Sequence, residues 1–281
     1  MITRRGGYLV LHQGKTPAAS EMIERSGYAV LRGAFDAREV ADLHKEVGRV
    51  FQRFPPDVRR DDKFVNWDEF RYEVLNRSPV AQRVLGDRRI LDVVEPLLGE
   101  DCHVIANTAW RNAPRKKEDP RGGNWHIDAG PHVPHAADVR WDDRIPYPVF
   151  AIGVHILLRD CPESCGPTAV IPGSHKSGVA PPAGRAHDKD LRWHGQGAVL
   201  LTGKAGDVVM FCSDVWHRRA PTSRGDAGRF FLQVHYGRRD LAQRLRPAAQ
   251  AHQLSAPARR RAVTARERTV IGLHAPAFYD G

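Results

Sequence analysis

The chain has 281 residues, 43 Lys and Arg against 33 Asp and Glu, a formal net charge of +10, and four cysteines. That length can bury a sizeable core within one domain, and four cysteines spread over it do not make a disulfide scaffold. Cys161 and Cys165 have a spacing that could hold a metal, but no second Cys or His pair completes a zinc set. The N-terminus lacks a basic-then-apolar signal pattern and no apolar run reaches spanning length, so a soluble, cytoplasmic protein is expected.

Taken in chain order, residues 1–25 read as loosely structured, and 27–33 read as a strand. Asp36 with Glu39 has the spacing of a capping box and opens an amphipathic helix near 36–52, in which Val40, Leu43, Val47 and Val50 recur at helical intervals. Residues 54–78 are polar and charged, with Trp67, Phe70, Arg71 and Tyr72 among them. Residues 80–98 predict a second helical region, stopped near Gly99.

From residue 102 the pattern changes to short strands split by Gly and Pro: 102–111, 124–128, 148–158, 168–172, 197–202, 207–212 and 229–236. Strands at this density predict a sandwich or barrel. The loops 112–123, 129–147 and 173–196 are long enough to be functional. Residues 238–268 hold nine arginines and two acids, so much of the positive charge is local. Such a stretch can attract nucleic acid, phosphate esters or anionic lipid, but it lacks interleaved aromatics and reads first as a solvated, Arg-rich surface segment.

The chemistry concentrates in Asn124-Trp-His-Ile-Asp128 and in Asp214-Val-Trp-His217. His126 and Asp128 are two apart and share a face if extended. With His217 they form a set of two imidazoles and one carboxylate, the donor set of a non-haem Fe(II) site with three positions left open. The pair alone is a weak signal; its context carries the reading. Other histidines compete poorly, since His132 and His135 lie in a Pro-rich loop and His175 in a turn.

With Ser26-Gly-Tyr-Ala-Val-Leu-Arg-Gly33, the Leu158-x-Asp160 strand end, Ile171-Pro-Gly-Ser-His175, Arg229 and Ile271-Gly-Leu-His274, these residues give the chain a resemblance to the phytanoyl-CoA dioxygenase family. The resemblance covers most of the length through order and spacing. It implies a mainly β fold with flanking helices, a double-stranded β-helix (jelly roll, cupin-like). As a single domain over 1–281 it would comprise helical support over about 1–100, a core over about 101–237, and an Arg-rich segment, 238–281, closing on that core. It also implies Fe(II) and 2-oxoglutarate as cofactors, with His126, Asp128 and His217 as metal ligands.

Arg229, twelve residues after His217, stands where the family places the arginine for the far carboxylate of 2-oxoglutarate, a role suited to its bidentate fork. Arg224, in a turn-like Ser-Arg-Gly-Asp, is the rival. By alternation Phe231, Gln233 and His235 share the face of Arg229. Two departures bear on cosubstrate binding. Arg219 stands where the family often has a small hydroxyl residue, a role Thr222 could take. His155 stands where the family often has a Trp beside the cosubstrate, so His155 either lines the site or is a buried structural histidine.

The implied activity is hydroxylation of a C–H bond of a small molecule, a natural-product intermediate or an acyl-type compound, with O2 consumed and succinate and CO2 released. The carboxylate of Asp128 favours hydroxylation over halogenation. Loops 54–78 and 129–147, with Trp141 and Tyr147, and the chain beyond 238 are the expected walls. Two alternatives stay open: a redox-neutral, metal-dependent jelly-roll isomerase or epimerase, which would not need Arg229, and a basic nucleic-acid-binding protein acting through 238–268. The apolar run after the arginines is expected to pack back on the barrel near its mouth, with the Arg segment as a lid.

Overall fold

The computed structural model describes residues 2–5, 8–11, 17–55, 70–114, 118–128, 130–246 and 253–275. Trp67 and residues 276–279 lie outside them. In place of the expected loose segment, an antiparallel pair of β1 (Ile2–Arg5) and β2 (Tyr8–Leu11) precedes α1 (Ala18–Ser26). Gly27 ends α1 with φ +85, a left-handed cap that glycine adopts without strain. A Cβ there would come within 2.8 Å of Val215.

β3 (Tyr28–Leu31) leads into α2 (Ala37–Arg53), where the predicted capping box is present. The Glu39 N–H donates to the Asp36 carboxylate at 2.9 Å, and the Asp36 N–H to the Glu39 carboxylate at 2.9 Å. Asp36→Ala is therefore expected to destabilise the protein by about 1 kcal/mol in urea unfolding. An unchanged midpoint would show that the box contributes nothing here.

The second helical region is broken. After β4 (Phe70–Tyr72) and the short α3 (Val74–Arg77), α4 (Pro79–Val84) stops at Leu85-Gly86, and Asp87 caps a separate α5 (Arg88–Leu98) by accepting from the Arg89 N–H at 3.0 Å. The apolar period ran across both helices, because each turns its buried residues to the same core.

The remaining strands are β5 (His103–Asn112), β6 (Ala151–Leu157), β7 (Thr168–Val170), β8 (Val199–Leu201), β9 (Val208–Cys212), β10 (His217–Arg219) and β11 (Arg229–Gly237). A six-stranded sheet has the order β3-β9-β6-β11-β5-β4 and a three-stranded sheet the order β10-β7-β8, all pairings antiparallel. Together they form the mainly β, cupin-like jelly roll, with the helices on the outer face of the larger sheet. The segment 124–128 is not a strand: its ladder content is one antiparallel bridge, His126 to His217.

Alternation along β11 sorts the two sides. Phe230, Leu232, Val234 and Tyr236 join α2, α4 and α5 in the main core, and the Tyr236 hydroxyl donates to the Leu85 carbonyl at 2.8 Å. Phe231 packs instead with Leu157, Val170, Leu201, Val209 and Phe211 between the sheets. Because both faces of the large sheet are covered, its central strands read as almost continuous apolar runs.

The C-terminal segment is tied to the helical layer. α6 (Ala256–Arg261) and α7 (Ala265–Val270), with Ile271 that caps the latter, contribute Ala258, Val270 and Ile271 to the main core. Arg246 pairs with Glu73, Arg266 pairs with Glu95, and Arg261 donates to Gln82 and to the Leu75 carbonyl. The reading of this stretch as simply solvated is corrected at these arginines, whose pairing depends on distant residues. Among the described residues no helix is long and apolar enough to cross a membrane.

Candidate metal centre

The antiparallel bridge that replaces the expected strand is what assembles the site. The His126 N–H donates to the His217 carbonyl at 2.9 Å and the His217 N–H to the His126 carbonyl at 3.0 Å. Directly opposed residues of such a pair project to the same side, and the two imidazole centroids lie 4.2 Å apart. Asp128 is held to the same segment, its N–H donating to the Ser213 carbonyl at 3.1 Å.

Each imidazole is turned by its own backbone. His126 Nδ1 lies 2.8 Å from the Asn124 carbonyl and His217 Nδ1 lies 2.9 Å from the Val215 carbonyl. A carbonyl only accepts, so Nδ1 carries a proton in both rings and Nε2 is the nitrogen left to bind a metal. These face Asp128 Oδ1, at 3.7 Å from His126 and 3.4 Å from His217. The three donor atoms all fall within 4.8 Å of one another. Adjacent donors of an octahedral ion with bonds of about 2.1 Å lie about 3 Å apart, so small side-chain adjustments bring this set around a divalent ion. Two imidazoles with one carboxylate fit Fe(II), with coordination positions to spare.

The electrostatics suit a cation. Burial opposes ionisation of Asp128, yet the neighbouring His217, His235 and His126 hold its carboxyl well below the usual carboxylate range. Burial also lowers His126, with His217 adding to the effect. For His217 burial acts downward, but Asp128 outweighs it and raises the ring. A metal ion would displace that proton and take over as partner of Asp128.

Below the triad, the inner face of the large sheet carries the cosubstrate candidates. Arg229 is 8% exposed, and its Nε donates to Asn112 Oδ1 at 3.0 Å across the β11–β5 pairing. The rival Arg224 is exposed. Asn112 Nδ2 is buried without a hydrogen-bond partner, a donor beside the guanidinium that suits an incoming carboxylate. Thr222 is bridged backbone to backbone with Asp119, and its buried hydroxyl also has no partner. The Asn112 donor, with the Arg229 fork beside it, fits a carboxylate of a ligand such as 2-oxoglutarate.

His155 is 8% exposed, packs tilted against Phe231 with ring centroids 4.5 Å apart, and lies opposite Gln233 in the strand register. Burial, helped by the charge of Arg229, pushes its ring down to about 3, so it is a neutral imidazole. Beside it, Trp110 Nε1 donates to Gln233 Oε1 at 2.6 Å, and the Thr108 hydroxyl donates to the same oxygen at 3.1 Å. Two donors on one oxygen fix which end of the amide is which.

Sequence reasoning missed Asn112, Ser213 and a second His–carboxylate pair. His132 Nδ1 lies 2.7 Å from Asp214 Oδ1, and the Tyr147 hydroxyl donates to Asp214 Oδ2 at 3.2 Å. Nothing in the spacing of residues 132, 147 and 214 signals this. Of the expected walls, Phe70 packs on Trp110 at 5.3 Å, whereas Arg71 lies on Phe51 at 4.6 Å, facing the helices.

A family model described as phytanoyl-CoA dioxygenase (PhyH) matches residues 23–230. A curated relative, ectoine dioxygenase from Sphingopyxis alaskensis, is 30% identical over 218 residues, 69% of this chain and 67% of its own length. Ectoine dioxygenase from Bordetella bronchiseptica is 29% identical over 69% of this chain and 66% of its own. The match thus spans about two thirds of these relatives. Among solved structures, EctD from S. alaskensis with 2-oxoglutarate and 5-hydroxyectoine aligns with a TM-score of 0.59 and 26% identity over 82% of this chain and 79% of that one. The epimerase SnoN in complex with Fe3+ and alpha ketoglutarate shares the fold, with a TM-score of 0.61 and 18% identity over 84% and 92%.

Proposed function

The chain belongs to the phytanoyl-CoA dioxygenase family and is an Fe(II)/2-oxoglutarate-dependent dioxygenase, and we propose that it hydroxylates a small, polar molecule at the centre formed by His126, Asp128 and His217. The observation that carries the assignment of these residues is the His126–His217 bridge, which sets two Nε2 atoms against one carboxylate oxygen. With iron and 2-oxoglutarate bound, the site supplies an oxidant: one oxygen atom of O2 enters a substrate C–H bond, the other enters succinate, and CO2 leaves.

The residues of the chain bind and orient. Asn124 and Val215 carbonyls lock the ligand imidazoles in the metal-binding tautomer. Arg229, seated by Asn112, takes the far carboxylate of the cosubstrate with a bidentate fork. Phe231 and His155 form a tight wall beside it, and Phe211 closes the floor at 5.2 Å from His155. Thr108, Gln233, His235 and Ser213 add polar groups to the inner face, which favours a substrate with hydrogen-bonding groups over a long acyl chain.

Ectoine is the first compound to test. Succinate formation that requires Fe(II), 2-oxoglutarate and O2 and rises several-fold with ectoine, with a hydroxylated product by mass spectrometry, is the expected result. Slow, ectoine-independent succinate formation would keep the class and overturn the substrate.

A further inference from the structure

The carboxylate of Asp128 is divided between two sets of neighbours. Its Oδ1 faces the two proposed ligand imidazoles, whereas Oδ2 lies 3.4 Å from Nε2 of a third histidine, His235. We propose that His235 is a positioning residue for the metal centre, holding Oδ2 through its Nε2–H so that Asp128 binds the metal through one oxygen only. The proposal rests on the metal site assigned above.

Three features hold the imidazole there. His235 is on the inner face of β11, directly opposite Gly153 of β6. A Cβ at position 153 would come within 3.3 Å of His235 Nε2 and 2.8 Å of the Phe211 ring, so the glycine makes room for both rings. Ser213 Oγ lies 2.8 Å from the same Nε2. The Ser213 carbonyl also accepts the Asp128 N–H at 3.1 Å, and its own N–H donates to the Ala151 carbonyl at 3.0 Å. Ser213 thus grips Asp128 twice, through the backbone directly and through the carboxylate by way of His235.

With its proton on Nε2, His235 donates to Ser213 Oγ at 2.8 Å and presents the same N–H to Asp128 Oδ2 at 3.4 Å, whereas in His126 and His217 a backbone carbonyl holds the proton on Nδ1. Three histidines therefore surround one carboxylate, two offering Nε2 to a metal and one offering an N–H to the carboxylate. His235, though close, is not among the three side chains whose donor atoms all lie within 4.8 Å of one another. Its restraint matters because an unrestrained Oδ2 could close onto the metal and occupy a position that the cosubstrate or O2 requires. Groups that orient metal ligands typically change metal affinity by about 10–100-fold when removed.

The test uses the full-length, metal-free protein titrated with Co(II), read by calorimetry and by the visible d–d spectrum, alongside thermal unfolding of the metal-free forms. His235→Leu keeps the bulk and removes the donor, and His235→Gln returns an N–H at similar reach. The expected result is about 10–100-fold weaker Co(II) binding and an altered spectrum for His235→Leu, recovery to within a few-fold for His235→Gln, and closely similar unfolding temperatures. Wild-type affinity and spectrum in His235→Leu, or an equal loss in His235→Gln, would overturn the proposal. Asp128→Ala separates the two levels. If it loses Co(II) binding while His235→Leu does not, only the positioning role fails; if it binds like the wild type, the site assignment itself fails.

Discussion

Asp128→Ala and His217→Ala are each expected to lower iron-dependent succinate formation by about 10³-fold or more, equivalent to ~4 kcal/mol of lost transition-state stabilisation. Each removes one of three protein ligands, and the neighbours cannot replace it. His235 presents an N–H toward the site, and His132 is engaged by Asp214. The fold should survive, because the backbone of His217 makes the bridge to His126 whatever its side chain. His217→Ala is the sharper case. It removes the imidazole that does most to lower the carboxyl of Asp128, so that carboxyl should rise toward the usual range and the metal-free protein should lose a modest part of its stability at neutral pH. Circular dichroism separates loss of fold from loss of metal. Full turnover in either variant would remove that residue from the centre.

The second large effect is expected at Arg229. Arg229→Ala should raise the 2-oxoglutarate concentration needed for half-maximal turnover by at least ~30-fold, since truncating one member of a buried charge pair costs ~2–5 kcal/mol. Metal affinity should change little, because the guanidinium is tied to Asn112 on β5 and is not one of the three donor side chains. Arg229→Lys should recover only part of the loss, as an ammonium lacks the planar fork. Arg224→Ala serves as the control on an exposed neighbour. A large effect at Arg224 with none at Arg229 would move the anchor.

Period-based reading worked where one period governs a long element. α2 shows its cap and its apolar stripe in order, and β11 shows alternation that separates Phe230, Leu232 and Val234 from Phe231. It failed where structure depends on a single long-range pairing. The 124–128 segment makes one bridge rather than a strand, and a single bridge has no period to read. The donor residues were legible because a two-residue offset survives in an irregular segment. Their assembly was not, since it depends on residue 126 meeting residue 217.

The same limit applies to the supporting residues. Asn112 reaches Arg229, and Gly153 yields to His235, only through the register of β5 and β6 against β11. The C-terminal arginines, read as a charge run, have partners in α3, α4 and α5 that composition does not reveal. Family resemblance supplied the expected ligand roles, and the structure brings the donor atoms of those three side chains within 4.8 Å of one another.

The most direct test of the account is an anaerobic titration of the protein with Fe(II) and 2-oxoglutarate, followed by visible absorption. The account predicts a weak charge-transfer band that requires both components, is absent in His217→Ala, and needs much higher 2-oxoglutarate in Arg229→Ala. A band unaffected by either substitution, or no band at saturating concentrations of both, would contradict it.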